Sequence, residues 1–473
     1  MINLLAIGKM AKIYPQHVVG TSRNCKNIIN IILLLLYFGC SWLKFDRGEN
    51  LPNQALLIDL AARHAYFFGI EIWPDEMYYI AAILIIAALG LFIFTAVFGR
   101  IWCGYTCPQT VFTDLFIKIE QLIQGDRNAR IRLDQAEWDS DKIYKKALTY
   151  LIWFAISFAF AFGWICYFYG AKELVADLLD CCVSPSGVSW LLGLTCSTYL
   201  FAAILRDKVC IYMCPYGRFQ SAMLDSDSLV VTYHEWRGEP RGFATQNGDC
   251  VDCGRCVVVC PMGIDIRDGM QLGCIGCGLC IDACDSVMQK LNRPLGLIAY
   301  DSINTSALKK AGKYKPKTIR QFILQNFLRS RVIAYCCIMI LVSGGFCYFL
   351  INKTQYSLWL EKDRAAIMTV LPDGAIRNSY NVQILNKTSK QRSFTLSIQG
   401  LEGAEIMALC NERGYSNTFD FDLQRGKIEQ FTILVKAVGS ISDFNRKSSE
   451  IIFMIRSDRG DIIKKSITFV WQK

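Results

Sequence analysis

The chain has 473 residues, of which 53% are hydrophobic and only 19% charged, a balance that argues against an ordinary soluble protein and for an integral membrane protein. Lys and Arg number 51 against 41 Asp and Glu, and the resulting +10 sits beside apolar runs, so it reads as a topology signal and leaves nucleic-acid binding without its main support. The 22 cysteines, many at short regular spacing, do not suit a small secreted disulfide framework, and three histidines (His17, His64, His234) with no C-x-x-C-H sequence argue against integral haem.

In chain order, residues 1–26 form a basic tail carrying Lys9, Lys12, Arg23 and Lys26. Uncharged runs at Ile28–Leu43, Met77–Gly99, Ala147–Ala171, Cys181–Leu205 and Val332–Ile351 approach or exceed the ~20 residues that cross a ~30 Å hydrocarbon core. The first run lacks an A-x-A-like cleavage site and is predicted to be a retained anchor. The fourth is predicted to begin just after Pro185. Residues 27–224 are thus expected to form a membrane domain of four spans and residues 331–352 a fifth. Basic residues flank the N-terminal tail, the Arg100–Lys146 segment and the approach to Val332, so the positive-inside rule places the N-terminus in the cytoplasm and the C-terminus outside.

Within the membrane domain, Arg100-Ile101-Trp102-Cys103-Gly104-Tyr105-Thr106-Cys107-Pro108 and Cys210-Ile211-Tyr212-Met213-Cys214-Pro215 share C-x-Y-x-C-P, with Phe112 and Phe219 four residues beyond each proline. Cysteines at i and i+4 are expected on one helix face, with the proline breaking the helix at the membrane boundary. Soft thiolates at Cys103, Cys107, Cys210 and Cys214 could hold copper, ligate a further cluster or form a redox-active dithiol, and the spacing does not choose among these. The remaining scattered cysteines, Cys25, Cys40, Cys166, Cys181, Cys182, Cys196, Cys336, Cys337, Cys347 and Cys410, read as small buried hydrophobes.

Residues 225–330 are expected to form a cytoplasmic unit. It opens on the connector Trp236–Gly242, read as a solvated linker by default with docking across the membrane part as the alternative, and carries two C-x2-C-x2-C-x3-C runs: Cys250, Cys253, Cys256, Cys260 and Cys274, Cys277, Cys280, Cys284. Three cysteines in a tight loop plus a fourth, repeated once, suit two [4Fe–4S] clusters better than zinc knuckles. In such runs the fourth cysteine serves the other cluster, giving one set of Cys250, Cys253, Cys256 and Cys284 and another of Cys274, Cys277, Cys280 and Cys260. The first run ends in Pro261 but the second in Asp285, which is expected to loosen the turn after Cys284.

Residues 353–473 lose the long apolar runs and alternate with period two at Phe394-Leu396-Ile398, Phe431-Ile433-Val435, Ile451-Phe453-Ile455 and Ile467-Phe469-Trp471, the pattern of a β-sandwich outside the membrane. His64 reads as a hydrogen-bonded histidine. No G-x-G-x-x-G, P-loop or H-E-x-x-H occurs.

The order GRIWCGYTCPQTVFTDLF, VCIYMCPYGRFQSAMLD, RGEPRG, CVDCGRCVVVCPMGIDIRDG and CIGCGLCIDACDSVM resembles the cytochrome c oxidase accessory proteins of the FixG/RdxA/CcoG type over almost the whole chain. The resemblance implies a multi-pass protein of the bacterial inner membrane with an inserted two-cluster ferredoxin domain and a periplasmic immunoglobulin-like sandwich. It further implies an iron–sulfur oxidoreductase that reduces Cu(II) to Cu(I) for a cbb-type oxidase, through Cys103, Cys107, Cys210 and Cys214, in the company of the oxidase or copper chaperones and a cytoplasmic electron donor. Two other readings fit the same motifs. One is a quinol-linked electron-transfer subunit serving a partner reductase. The other is a non-catalytic assembly scaffold or redox sensor.

Overall fold

The computed structural model describes residues 12–471 except 48–50, 61–62, 243–247, 315–324, 364–367, 389–390, 402, 410–413 and 438–447. The chain divides into two compact units, Met1–Phe346 and Cys347–Lys473. Cys410 lies outside the described residues.

Among the described residues of the first unit and its end, five helices are long and apolar enough to cross a membrane: Thr21–Trp42, Pro74–Phe98, Ser140–Tyr169, Pro185–Leu205 and Ser330–Ile351. The fourth starts with Pro185 at its first position, where the missing N–H costs nothing, and Ser184 Oγ accepts the Gly187 N–H at 3.2 Å as its cap. Its last turns widen to π-helix over Tyr199–Leu205. Between the first two spans, the antiparallel strands Leu56–Asp59, His64–Phe67 and Ile70–Ile72 form a small sheet. His64 lies there against Trp73, with ring centroids 4.1 Å apart, and its Nδ1 is 3.3 Å from the Tyr66 hydroxyl, the hydrogen-bonded role read from the sequence.

The segment between the second and third spans departs from a plain basic loop. Helix Pro108–Gln124 is amphipathic and lies along the third span: Phe112 stacks on Phe160 at 3.9 Å, and Trp153 Nε1 donates to the Phe116 carbonyl at 3.2 Å. Its buried face carries two carboxylates. Asp114 faces Arg23 at 2.8 Å, Lys26 at 3.4 Å and Lys118 at 3.8 Å; Glu120 faces Arg206 at 2.8 Å, Lys12 at 3.2 Å and Arg130 at 3.5 Å. Several of the cations beside the spans, among them Arg23, Lys26 and Arg130, are therefore buried partners of these acids.

The cysteine-rich segment packs into the same unit. Strands Val230–Tyr233 and Ile298–Asp301 pair antiparallel and bracket it, and Val231, Tyr233, Cys250, Cys256, Ile266, Met288, Leu297 and Ile298 form its core. The connector Trp236–Gly242 differs from a solvated linker. Residues Glu235–Gly238 form a helical turn, and Arg237 reaches Asp249 and the Pro294 and Leu295 carbonyls, so the connector is bound to the loops on either side of the cysteine runs. Asp282, on helix Leu279–Lys290, accepts the Ser22 and Arg23 N–H groups at 3.1 and 2.8 Å, capping the first span with a side chain from the cysteine-rich segment.

The second unit is an all-β sandwich. One sheet runs Glu405–Ala408, Ile428–Ala437, Ile376–Asn386, Tyr356–Lys362, with Thr369–Val370 also on Ile376–Asn386; the other runs Thr418–Leu423, Arg392–Gln399, Ser448–Ser457, Ile462–Val470. The alternating residues point inward as their period requires: Leu396, Ile433, Val435, Ile451, Phe453, Ile455 and Phe469 are fully buried.

Candidate functional site

In the cysteine-rich segment the thiols gather in two groups, each drawing from both runs. Cys284 has Cys256, Cys250 and Cys253 as its thiol neighbours, whereas Cys280 has Cys277, Cys274 and Cys260 nearest. The crossing follows from local structure. Gly254 and Gly278 adopt left-handed backbone (φ +65° and +70°) just before the helices Arg255–Val258 and Leu279–Lys290. Helix Leu279–Lys290 then carries Cys280 and Cys284 one turn apart along one face, so that each stands at a different thiol group. This helix runs straight past Asp285, so there is no turn there to loosen; the Asp285 carboxylate instead accepts the Gly296 N–H at 2.9 Å. A proline would interrupt the helix at this position.

The surroundings suit a metal–sulfur core. Val231, Met262, Ile264 and Ile266 join the cysteines around an apolar cavity, and the Gly276 N–H donates to Cys274 Sγ at 3.4 Å. Burial pushes the Cys256 and Cys274 thiols up to about 11 and those of Cys260 and Cys284 up to about 12, with neighbouring cysteines adding to the shift. Thiols so placed stay protonated unless a cationic metal centre draws off the protons, which is the chemistry of a ligating set. Cys253 is exposed, so the first group reaches the surface at one corner.

The membrane motifs form a third group. Cys103 neighbours Cys107 and Cys214, and Cys210 neighbours Cys107, Cys103 and Cys214. The local geometry differs from the expected continuous helix. Cys103 lies in the five-residue helix Ile101–Tyr105 and Cys210 in a π-helical turn, Val209–Met213. Cys107 and Cys214 are the extended residues before Pro108 and Pro215, which occupy the first positions of the following helices, Pro108–Gln124 and Pro215–Met223. The prolines therefore start helices, and the change to extended backbone turns the second cysteine of each motif back toward the first.

Polar residues that carried no separate weight in the sequence surround this group. Cys103 Sγ donates to Gln220 Oε1 at 3.3 Å, and Gln220 is fully buried. Thr110 Oγ1 donates to the Cys103 carbonyl at 2.6 Å, and Gln109 Nε2 donates to the Phe201 carbonyl at 2.7 Å, tying the first motif to the fourth span. Tyr216 bonds Thr95 of the second span at 2.5 Å. Their positions just after each proline, in CPQT and CPYGRFQ, were the available signal. His17 is exposed, and His234 faces Asp301 at 3.7 Å.

The membrane thiol group abuts the second cysteine run. A Cβ on Gly104 would stand 2.8 Å from Cys277 Cα and 2.9 Å from the Ile275 carbonyl oxygen, so only glycine allows the two backbones to meet.

Comparison with known proteins gives three family matches: a 4Fe-4S dicluster domain over residues 205–303, a 4Fe-4S binding domain over 80–129, and the Ig-like fold at the C-terminus of FixG over 346–472. Nitrogen fixation protein FixG of Rhizobium meliloti is 40% identical over 90% of this chain and 86% of its own length. Protein RdxA of Cereibacter sphaeroides is 43% identical over 83% of each chain. The crystal structure of a FixG-related protein from Vibrio parahaemolyticus overlaps 25% of this chain and 98% of that one, at 16% identity and a TM-score of 0.21.

Proposed function

The chain belongs to the FixG family of iron–sulfur oxidoreductases, and from that premise we propose that it reduces Cu(II) to Cu(I) at Cys103, Cys107, Cys210 and Cys214 during assembly of a cbb-type cytochrome c oxidase. The supporting observation is the convergence of these four thiols against the Cys274–Cys280 loop. Bound [4Fe–4S] clusters would supply one-electron carriers, one held by Cys250, Cys253, Cys256 and Cys284, the other by Cys260, Cys274, Cys277 and Cys280. Soft thiolates favour Cu(I) over Cu(II), so the membrane cysteines stabilise the product of the step. Each Cu(II) takes one electron, delivered from a soluble one-electron donor on the ferredoxin side, and Cu(I) leaves for the oxidase or a copper chaperone. Gln220 orients Cys103, and Thr110 and Gln109 hold the backbone that carries it. In this reading the protein sits in the bacterial inner membrane with its N-terminus and ferredoxin segment cytoplasmic and its sandwich periplasmic, as the basic residues near the N-terminus and before Val332 favour.

The test is anaerobic. The protein is reduced, freed of excess reductant and mixed with Cu(II), and Cu(I) is trapped by a chromogenic chelator. Wild type is expected to form Cu(I) in step with bleaching of its iron–sulfur absorbance; the variant with Cys103, Cys107, Cys210 and Cys214 all changed to Ser is expected to keep that absorbance and form none. Equal Cu(I) from both would refute a reaction at these thiols.

One observation favours a second reading. The 4Fe-4S binding family matched over residues 80–129 spans Cys103 and Cys107, which suits a third cluster held by the same four thiols. Iron analysis separates the two: about eight irons per chain for two clusters, about twelve for three.

A further inference from the structure

Arg100 stands where the three thiol-bearing segments meet. Its side chain leaves the backbone just ahead of the first membrane motif and donates to the Leu272 and Cys274 carbonyls, the latter at 3.0 Å, in the second cysteine run. Its other terminal nitrogen donates to the Gly217 carbonyl, just past the second membrane motif. One guanidinium therefore ties together segments separated in sequence by 117 and 172 residues. The Arg100 backbone is also part of the contact: a Cβ on Gly276 (φ +66°) would stand 3.1 Å from the Arg100 carbonyl carbon. Behind it, Tyr300 donates to the Gly276 carbonyl at 2.7 Å and lies 3.4 Å from the Tyr105 hydroxyl, bracing the same junction.

The end of the first cysteine run also packs here, Val259, Cys260 and Met262 sharing one apolar cluster with Cys103 and Cys210, but among the described residues no guanidinium ties that run to both membrane motifs. Its exposed corner, Cys253, faces solvent instead. The two ends of the thiol array are thus unlike in surroundings: the Cys253 end is open to a soluble donor, whereas the Cys274–Cys280 loop is held on the membrane motifs by backbone packing and the Arg100 guanidinium.

We propose that Arg100 is a positioning residue that seats the Cys274–Cys280 loop on the membrane thiols and sets the order of electron flow, inward at the Cys253 side and outward at the Cys277 side. The direction of flow rests on the copper-reducing reading; the effect of Arg100 on the two iron–sulfur centres does not. Each electron arrives from a reduced soluble one-electron carrier, which is oxidised by one, and ends on Cu(II), which becomes Cu(I). A planar guanidinium can serve three carbonyls in divergent directions, whereas a lysine ammonium supplies charge without the fork. A cation held at this point also favours the more negative, reduced state of the centre beside it.

The experiment compares Arg100→Gln and Arg100→Lys in the full-length, cluster-loaded protein, reading the midpoint potential of each centre by redox titration with electron paramagnetic resonance, in the absence of copper. Arg100→Gln is expected to lower the midpoint of one centre and leave the other at its wild-type value, and Arg100→Lys to restore it in large part. Unshifted midpoints, or equal shifts of both centres, would overturn the proposal. In rapid mixing with Cu(II), both variants are expected to transfer electrons roughly tenfold or more slowly than wild type. Should Arg100→Gln fail to accumulate, Gly104→Ala provides the second variant. Its added methyl would press on the Cys277 backbone, so slowed transfer with both midpoints unchanged is expected, and a wild-type rate would count against the junction. If wild type itself transfers nothing to copper, the copper reading fails while the potential shifts still decide the role of Arg100.

Discussion

The cysteine-rich segment and the membrane motifs build thiol groups by opposite routes. In the former, eight cysteines lie within 35 residues, and glycine-initiated helices bend two short runs so that each lends its last thiol to the other. In the latter, two pairs more than a hundred residues apart are brought together by spans, and each pair is itself split between a helical turn and an extended residue before proline. The first arrangement is written in local spacing. The second exists only because helix Pro108–Gln124 is held against the third span and the widened end of the fourth. Similar cysteine content thus carries different kinds of dependence: loop conformation in one case, helix packing in the other.

The sharpest way to break that contrast is Cys284→Ser. Although Cys284 belongs to the second run, its neighbours are Cys256, Cys250 and Cys253, so the centre of the first run is expected to be lost while the other keeps its spectrum. Loss of the second centre alone, followed by electron paramagnetic resonance of the reduced protein, would show the grouping to be wrong. Next in size is Asp285→Pro. Proline in the interior of helix Leu279–Lys290 is expected to cost about 3 kcal/mol and also to remove the acceptor of the Gly296 N–H, read as a lower midpoint of cluster loss on heating.

In the membrane group, Gln220→Leu removes the acceptor of the Cys103 thiol at a fully buried position. A loss of about 1 kcal/mol in thermal stability is expected. Copper reduction should fall a few fold in the same variant, with ferredoxin absorbance unchanged. The smallest effect is reserved for Pro108→Ala. Because Pro108 occupies the first position of a helix, alanine there is expected to change stability by under about 1 kcal/mol and to leave copper reduction intact. A large loss would restore the view of this proline as a helix breaker. The pair Asp285→Pro and Pro108→Ala therefore reads the same residue type in two contexts, mid-helix and helix start.

The remaining parts of the fold divide along the same line. In the sandwich, strands such as Ser448–Ser457 announce themselves by alternation because one face meets the core and the other water. Ile376–Asn386 does not, because Asn378, Ser379 and Asn386 are buried in it alongside the apolar residues and mask the period. The connector Trp236–Gly242 looked like linker from its Gly, Pro and charges, yet Arg237 makes it a bound strap.

By itself the sequence determined where the apolar helices lie, that the chain carries two ferredoxin runs and a repeated C-x3-C-P motif, and that it ends in alternating strands. These are properties of residues near one another in the chain: apolar length, cysteine spacing and period. Tertiary structure alone decided which thiols meet across spans, that Pro108 and Pro215 begin helices, that Asp114 and Glu120 draw flanking cations into the interior, and that Arg100 joins three distant segments. The physical reason is that helix ends, buried ion pairs and backbone contacts at glycine are satisfied by whatever partner packing supplies, and the identity of that partner is written nowhere in the local pattern.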